Sequence, residues 1–146
     1  MDRFSFRVWD KANNRYVDTF SDAYNRIWRY YIDQNGDLIG VEEDNVDRVQ
    51  DKDNFIIEQC TGLEDKNDTL IYEGDIVCYD DTLYSSYATK MTGVVVYRKA
   101  AFCFKYSDHF GGLYQPLVPS DDFWQRKTEI IGNIHEGNRT NKTDKY

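Results

Sequence analysis

The segment spanning residues 59–77 constrains the fold more than any other part of the chain. Its flanks, residues 55–60 and 76–79, are apolar and rich in β-branched and aromatic residues, which favours strands. Three residues that favour turns interrupt the pattern: Gly62, Asn67 and Gly74. The segment therefore predicts a strand, a turn at Thr61 and Gly62, a second turn over residues 65–68, and another strand.

Five carboxylates lie within or beside these turns: Glu64, Asp65, Asp68, Glu73 and Asp75. Paired carboxylates can act as a general acid and base. These occupy turn positions, however, and no histidine lies close to them in the sequence. Short acidic side chains in turns commonly accept hydrogen bonds from the local backbone, so we expect a capping role.

The N-terminal part reads as β structure. Residues 3–9 alternate strictly, with Phe4, Phe6 and Val8 on one predicted face, and residues 10–15 form a polar turn. Residues 28–32 and 38–41 form a second predicted hairpin around Asn35 and Gly36.

This second turn also half-matches a calcium loop, with Asp33, Asn35 and Asp37 at the first three ligand positions. Leu38 stands where such a loop needs glycine, and Asp44 where it needs a bidentate glutamate, so no metal is expected.

The later strands are predicted at residues 75–79, 93–98, 101–106, 113–118 and 129–136, with one helical turn after Ser120. Pro116 places the strand 113–118 at a sheet edge. The predicted fold class is mainly β, with few short helices. Residues 1–54 form a β-hairpin element with an acidic connection, residues 55–137 form a small SH3-like barrel, and residues 138–146 form a disordered tail.

Composition and cysteine spacing indicate the cellular compartment. Aromatic residues make up 16% of the chain, which suits a strand-rich core. No apolar run approaches the length of a membrane span, so we expect a cytoplasmic protein with no membrane partner. The three cysteines are widely spaced, which predicts buried reduced thiols and no metal or cofactor site.

Charge is unevenly distributed. The net charge is −8, and residues 33–53 hold eight acidic and two basic residues. A solvated connection is the simpler interpretation, and an acidic decoy for a basic DNA-binding protein is the alternative. His109 stands in a glycine-containing loop, where we expect a surface residue and no catalytic base.

Three motifs together resemble the YopX family of phage and prophage proteins. They are Phe-Arg-x-Trp-Asp-Lys at residues 6–11, the segment 59–77, and Glu-x-Ile-Gly-Asn-Ile-x-Glu at residues 129–136. Gly137 follows where asparagine is usual in the family. The resemblance implies a small, mostly β, phage-encoded protein inside a bacterial host cell, with no reaction to carry over.

The predicted function is a non-enzymatic accessory or interaction protein, with no catalytic, cofactor or metal residues. We expect a homo-oligomer that contacts a host or phage protein. The candidate interaction surface comprises Arg7, Trp9, Trp28, Arg29, Tyr30, Glu42, Glu43 and Asp44. A nucleic-acid-binding barrel is less favoured because of the acidic balance. Its candidates are Arg3, Arg7, Trp9, Trp28, Arg29, Tyr30, Arg98 and Lys105.

Overall fold

The computed structural model describes residues 5–17, 28–42, 45–48, 52–80, 90–106, 113–117 and 122–138. This part of the chain is mainly β, as predicted, with one short α-helix and one 3-10 helix. The strands are β1 (Phe6–Asp10), β2 (Arg15–Tyr16), β3 (Trp28–Ile32), β4 (Leu38–Glu42), β5 (Asn45–Arg48), β6 (Phe55–Glu64), β7 (Leu70–Tyr72), β8 (Asp75–Asp80), β9 (Lys90–Arg98), β10 (Ala101–Tyr106), β11 (Leu113–Pro116), β12 (Thr128–Asn133) and β13 (Gly137–Asn138). The helices are Lys52–Asn54 and α1 (Asp122–Lys127).

The described strands form three sheets. Their orders are β2-β1-β6-β7, β3-β4-β5 and β11-β10-β9-β8-β12-β13. The chain divides into two compact units, one of Arg7–Ile57 and one of Met1–Phe6 with Glu58–Tyr146. We call them the small unit and the large unit.

In the small unit both predicted hairpins are confirmed. β1 pairs with β2, and β3 pairs with β4 along its whole length. Gly36 takes a φ of 82° in the second turn, and the Asp33 carboxylate accepts hydrogen bonds from the backbone N–H groups of Asn35 and Asp37.

One expectation for this unit is wrong. Residues 45–48 were expected within a connection but form β5, because pairing with β4 overrides a polar, weakly β-prone sequence. β1 is covered on both faces, since the neighbouring residues Val8 and Trp9, which alternate in direction, are both buried. Arg3 and Phe4 lie outside the described residues.

In the large unit the predicted hairpin of β9 and β10 is confirmed. Lys99 and Ala100 connect the two strands with φ values of 52° and 62°, the left-handed pair that matches strand twist in a tight hairpin. β11 pairs only with β10 among the described strands and so lies at the sheet edge, as Pro116 predicted. The SH3-like form of this unit stays a prediction.

Two predicted boundaries in the large unit are wrong. The chain does not turn at Thr61 and Gly62. β6 continues to Glu64, and Gly62, with a φ of 78°, lies in the irregular stretch of the pairing with β7. The closing strand β12 ends at Asn133, and residues 134–136 form a turn before β13. Asn138 belongs to β13, while residues 139–146 of the predicted tail lie outside the described residues.

The core of the large unit is built on Ile71, Val77, Val95 and Phe104. Leu63, Phe102 and Trp124 are among the partly buried side chains packed against it. The three cysteines are buried and make no disulfide, as their spacing predicted.

Gly74 and Gly36 allow a matched test of packing, because their φ values are 84° and 82°. A Cβ on Gly74 would lie 2.6 Å from Glu58 Oε1, whereas a Cβ on Gly36 would have no atom within 4 Å. Both alanine substitutions carry a left-handed backbone cost of about 1–2 kcal/mol.

We expect Gly74→Ala to lower the free energy of unfolding by about 1–3 kcal/mol more than Gly36→Ala, the usual cost of overpacking. Urea unfolding followed by amide NMR signals of the substituted unit measures the difference. Equal effects would show that the backbone of Gly74 is not closely packed against Glu58.

Candidate functional site

The Asp65 carboxylate accepts hydrogen bonds from several parts of the chain. It is 1% exposed. Its Oδ1 accepts from the backbone N–H groups of Asn67 (2.8 Å) and Thr69 (3.1 Å). Its Oδ2 accepts from the backbone N–H of Ile130 (3.0 Å) and from Asn67 Nδ2 (3.4 Å). Asp65 therefore shapes its own turn and fastens that turn to β12.

Further contacts join this turn to α1 and β12. Gln125 Nε2 donates to the Asp65 carbonyl oxygen and to Asp68 Oδ1. The Lys66 backbone N–H donates to Thr128 O, and Lys66 Nζ lies 2.6 Å from Glu129 Oε2. The hydrogen bond with Glu129 raises the pKa of Lys66. Both side chains are 43% exposed, so solvent limits this pair to about 1 kcal/mol or less.

The turn at Glu73 and Gly74 is held in a similar way. Asp75 Oδ2 accepts from the backbone N–H of Tyr72 at 2.8 Å, and Asp75 is 1% exposed. Gly74 N–H donates to Val95 O, and Gly74 O accepts from the backbone N–H of Ile134. The capping role predicted for Asp65 and Asp75 is confirmed, because both carboxylates accept backbone hydrogen bonds.

A buried glutamate and a histidine meet beside Gly74. Glu58 is 2% exposed, and its Oε1 lies 2.7 Å from Nε2 of His135, whose side chain is 10% exposed. Asn133 Oδ1 accepts from the backbone N–H groups of His135 and Glu136, which bends the chain at the end of β12. The pair thus connects β6 to the turn after β12. Because it is buried, it can hold these two segments together.

Sequence reasoning did not find this pair. Glu58 and His135 are 77 positions apart. Glu58 stands just before the segment 59–77, and His135 occupies a variable position of the motif at residues 129–136. The one signal was a glutamate inside the apolar run 55–60, since a charged residue in a buried strand requires a partner.

Asp10 organises the first turn of the small unit. Its carboxylate accepts from the backbone N–H of Asn13, from Asn13 Nδ2 at 2.6 Å and from Asn54 Nδ2 at 2.8 Å. Burial acts to raise the pKa of Asp10, but the hydrogen bonds from Asn13, Asn54 and the backbone outweigh it. The pKa is therefore lowered from its ordinary value.

The structure describes the side chains of two members of the predicted interaction surface, Arg7 and Trp9. Trp9 is 2% exposed and packs edge-on against Tyr16, with ring centroids 4.9 Å apart, so its ring is interior and offers no surface. Arg7 lies 4.5 Å above the same Tyr16 ring. Four other members lie on β3 and β4, where only their backbone is described: Trp28, Arg29, Tyr30 and Glu42. Three candidates lie outside the described residues: Glu43, Asp44 and His109.

A different surface forms on β9, β10 and β11. The Arg98 guanidinium lies over the Tyr114 ring, with Cζ 4.0 Å from the ring centroid. Lys105 is the cross-strand partner of Tyr114, and its Nζ lies 5.8 Å from the same centroid. Because side chains alternate along a strand, these groups leave the sheet opposite the buried Phe104. We call Arg98, Lys105 and Tyr114 the cation–tyrosine face.

The charged residues in the sequence around this face are basic. Residues 90–106 contain four basic residues and no acidic one. Lys90 pairs with Asp80 at 3.6 Å, whereas Arg98, Lys99 and Lys105 are exposed and make no ion pair within the described residues. Sequence reasoning named Arg98 and Lys105 but missed Tyr114, because only folding brings β11 beside β10.

No group of three or more potential metal-ligating side chains is assembled among the described residues. Within the same ranges, no helix has the length and apolar character to cross a bilayer.

One family model and two solved structures match this chain. The family model described as YopX protein matches residues 5–139. A crystal structure of protein EF1440 from Enterococcus faecalis superposes with a TM-score of 0.52 at 24% identity, covering 90% of this chain and 92% of the other. The crystal structure of protein yopX from Bacillus subtilis gives 0.54 at 19% identity, covering 91% and 94%. At these identities the two structures show a shared fold. No curated protein matches the sequence.

Asp65→Asn tests the carboxylate that fastens the turn to β12. Whichever way the amide is oriented, its NH2 group faces a backbone N–H that has lost its acceptor. We expect a loss of about 2–4 kcal/mol in the free energy of unfolding. Asp68→Asn is the control, because it changes the same charge in the same turn and its oxygen can still accept from Gln125. We expect an effect within about 0.5 kcal/mol there. Comparable losses in urea unfolding would contradict the special role of Asp65.

The lowered pKa of Asp10 predicts an acid sensitivity of the small unit. A carboxyl with a depressed folded-state pKa stabilises the fold above its unfolded value of about 3.9, and this stabilisation is lost as pH falls through the folded value. Asn13→Ala removes a hydrogen-bond donor to Asp10, so we expect the Asp10 pKa to rise in a carboxyl NMR titration. Asn14→Gly, with no contact to Asp10, should leave the pKa unchanged. An unshifted pKa in Asn13→Ala would refute the assignment.

Proposed function

We propose that this chain, which belongs to the YopX family, is a non-enzymatic accessory protein that acts by binding another macromolecule. The family resemblance supports a phage or prophage origin and action in the cytoplasm of a bacterial host. We also propose that residues 55–137 form a small SH3-like barrel, supported by the order of strand, long connection and tight hairpin in β8, β9 and β10.

The proposal rests on the different environments of the acidic and the basic side chains of the large unit. The buried carboxylates Glu58, Asp65 and Asp75 accept hydrogen bonds that hold turns and strands of the large unit. The exposed cations of the cation–tyrosine face hold no such structural bonds to carboxylates within the described residues. The buried acidic groups therefore stabilise the fold, whereas the exposed basic groups on β9 to β11 are available for recognition.

Exposed apolar side chains support association with a partner or a second copy. Five large ones are exposed among the described residues: Tyr31, Ile32, Tyr97, Tyr114 and Ile134. Tyr97 is 54% exposed and packs edge-on against Phe102 at 5.2 Å. Burial of such rings in an interface is favourable, and aromatic residues are enriched there. We propose a homo-oligomer on this ground.

The experiment combines affinity capture of the tagged full chain from lysogenic bacterial cells with light scattering. Two double variants remove two positive charges each: Arg98→Gln with Lys105→Gln, and Lys11→Gln with Arg15→Gln. We expect a mass above that of one 17.3 kDa chain and a captured partner that only the first variant loses.

Equal capture by both variants would refute the role of the cation–tyrosine face. A monomer that captures nothing beyond the tag control would refute the proposal as a whole. If neutralising Glu42, Glu43 and Asp44 instead releases a basic DNA-binding protein, the acidic decoy takes its place.

A further inference from the structure

We infer that the cation–tyrosine face and the adjoining hairpin end, Tyr97 and Lys99, bind single-stranded nucleic acid. The inference rests on the proposed function and names the class of the partner. It concerns a surface of the large unit whose aromatic part, Tyr114 and Tyr97, is absent from the candidates for nucleic-acid binding named above.

The first argument is the lack of counter-ions. The chain has 26 acidic and 18 basic residues, so a surface cation should readily find a carboxylate. Arg98, Lys99 and Lys105 make no ion pair within the described residues, and no acidic residue occurs between positions 90 and 106. Three grouped cations in an acidic protein fit a ligand that supplies its own negative charges, and a phosphodiester chain does so at regular spacing.

The second argument is the geometry of Arg98 on Tyr114. A guanidinium that stacks on a ring keeps its N–H donors at its edge, where they can form paired hydrogen bonds with phosphate oxygens. Tyr114 remains 39% exposed beside the guanidinium that lies over it. A base can therefore stack on the ring or on the guanidinium plane while the same arginine holds the backbone.

The third argument is pre-organisation. β10 and β11 pair over four successive positions, and β9 and β10 over five, so the three strands fix the relative positions of the side chains. Tyr97 precedes Arg98 and leaves β9 on the opposite side, where Phe102 supports its ring. Lys99 follows Arg98 in the tight turn between β9 and β10. A flexible single strand can pass over the hairpin end and meet a ring on each side of it.

Two other ligand classes fit less well. Double-stranded DNA hides the faces of its bases, and a chain with net charge −8 lacks the broad basic surface that duplex binding uses. A peptide that adds a strand to the sheet would need the free edge of β11, where Pro116 has no N–H to donate. A second copy of this chain, through its acidic residues 33–53, is the competing occupant.

The test is fluorescence anisotropy with labelled oligothymidine and oligouridine of about twelve nucleotides, within the site sizes of single-strand-binding proteins. We expect salt-dependent binding with a slope of log K against log salt of about −2, since three cations each contribute about −0.7. A hairpin duplex of the same length should bind more weakly.

The two double variants defined above are the matched pair. Arg98→Gln with Lys105→Gln should weaken binding at least tenfold and flatten the salt slope, while Lys11→Gln with Arg15→Gln should stay within about twofold. Tyr114→Leu should weaken binding about tenfold with little change in slope, as expected for a lost stacking contact. Tyr114→Phe should restore it. Native amide NMR spectra of each variant show that the fold is kept.

Three results would overturn the inference. The first is that neither oligonucleotide shows salt-dependent binding at 50 mM salt. The second is that the two double variants lose the same amount of oligonucleotide affinity. The third is that the protein does not bind oligonucleotides and that the variant Arg98→Gln with Lys105→Gln no longer self-associates. The last result would assign the face to a second copy. If oligonucleotides never bind but partner capture still depends on Arg98 and Lys105, the proposed function stands and this inference falls.

Discussion

The large unit depends on one carboxylate that joins two distant parts of the chain. Asp65 accepts hydrogen bonds from its own turn and from the backbone of Ile130, 65 positions later. A buried charge is costly unless donors surround it, and here backbone N–H groups do so. The same bonds provide an acceptor for the backbone N–H groups of Asn67, Thr69 and Ile130. The turn and β12 therefore stabilise each other.

The contacts of Gly74 and Glu58 extend this junction. Gly74 can lie against Glu58 because it has no Cβ, and its carbonyl accepts from Ile134 at the end of β12. Glu58 reaches His135 in the following turn. The segment that resembles the family most strongly is thus a scaffold. We propose that β9, β10 and β11 carry recognition, and the core residues Val95 and Phe104 anchor β9 and β10 in the large unit.

Local features of the fold were predictable from the sequence, and features that depend on distant partners were not. The Asn35-Gly36 pair predicted a hairpin, in which Gly36 takes the positive φ, and Asp65 and Asp75 were recognisable as capping residues. β5 escaped prediction because its strand state comes from pairing with β4. The contact of Arg98 with the Tyr114 ring joins β9 to β11, which are not consecutive in the sequence. Periodicity carries no information about such contacts.

The most direct test of the central claim is native-state hydrogen exchange at the backbone amide of Ile130. If its N–H is held by the buried Asp65 carboxylate, it should exchange as slowly as the core amide of Val95, through unfolding of the large unit alone. Exchange at the rate of an exposed turn amide, such as that of Lys99, would show that the carboxylate does not hold β12. The scaffold described here would then lose its central link.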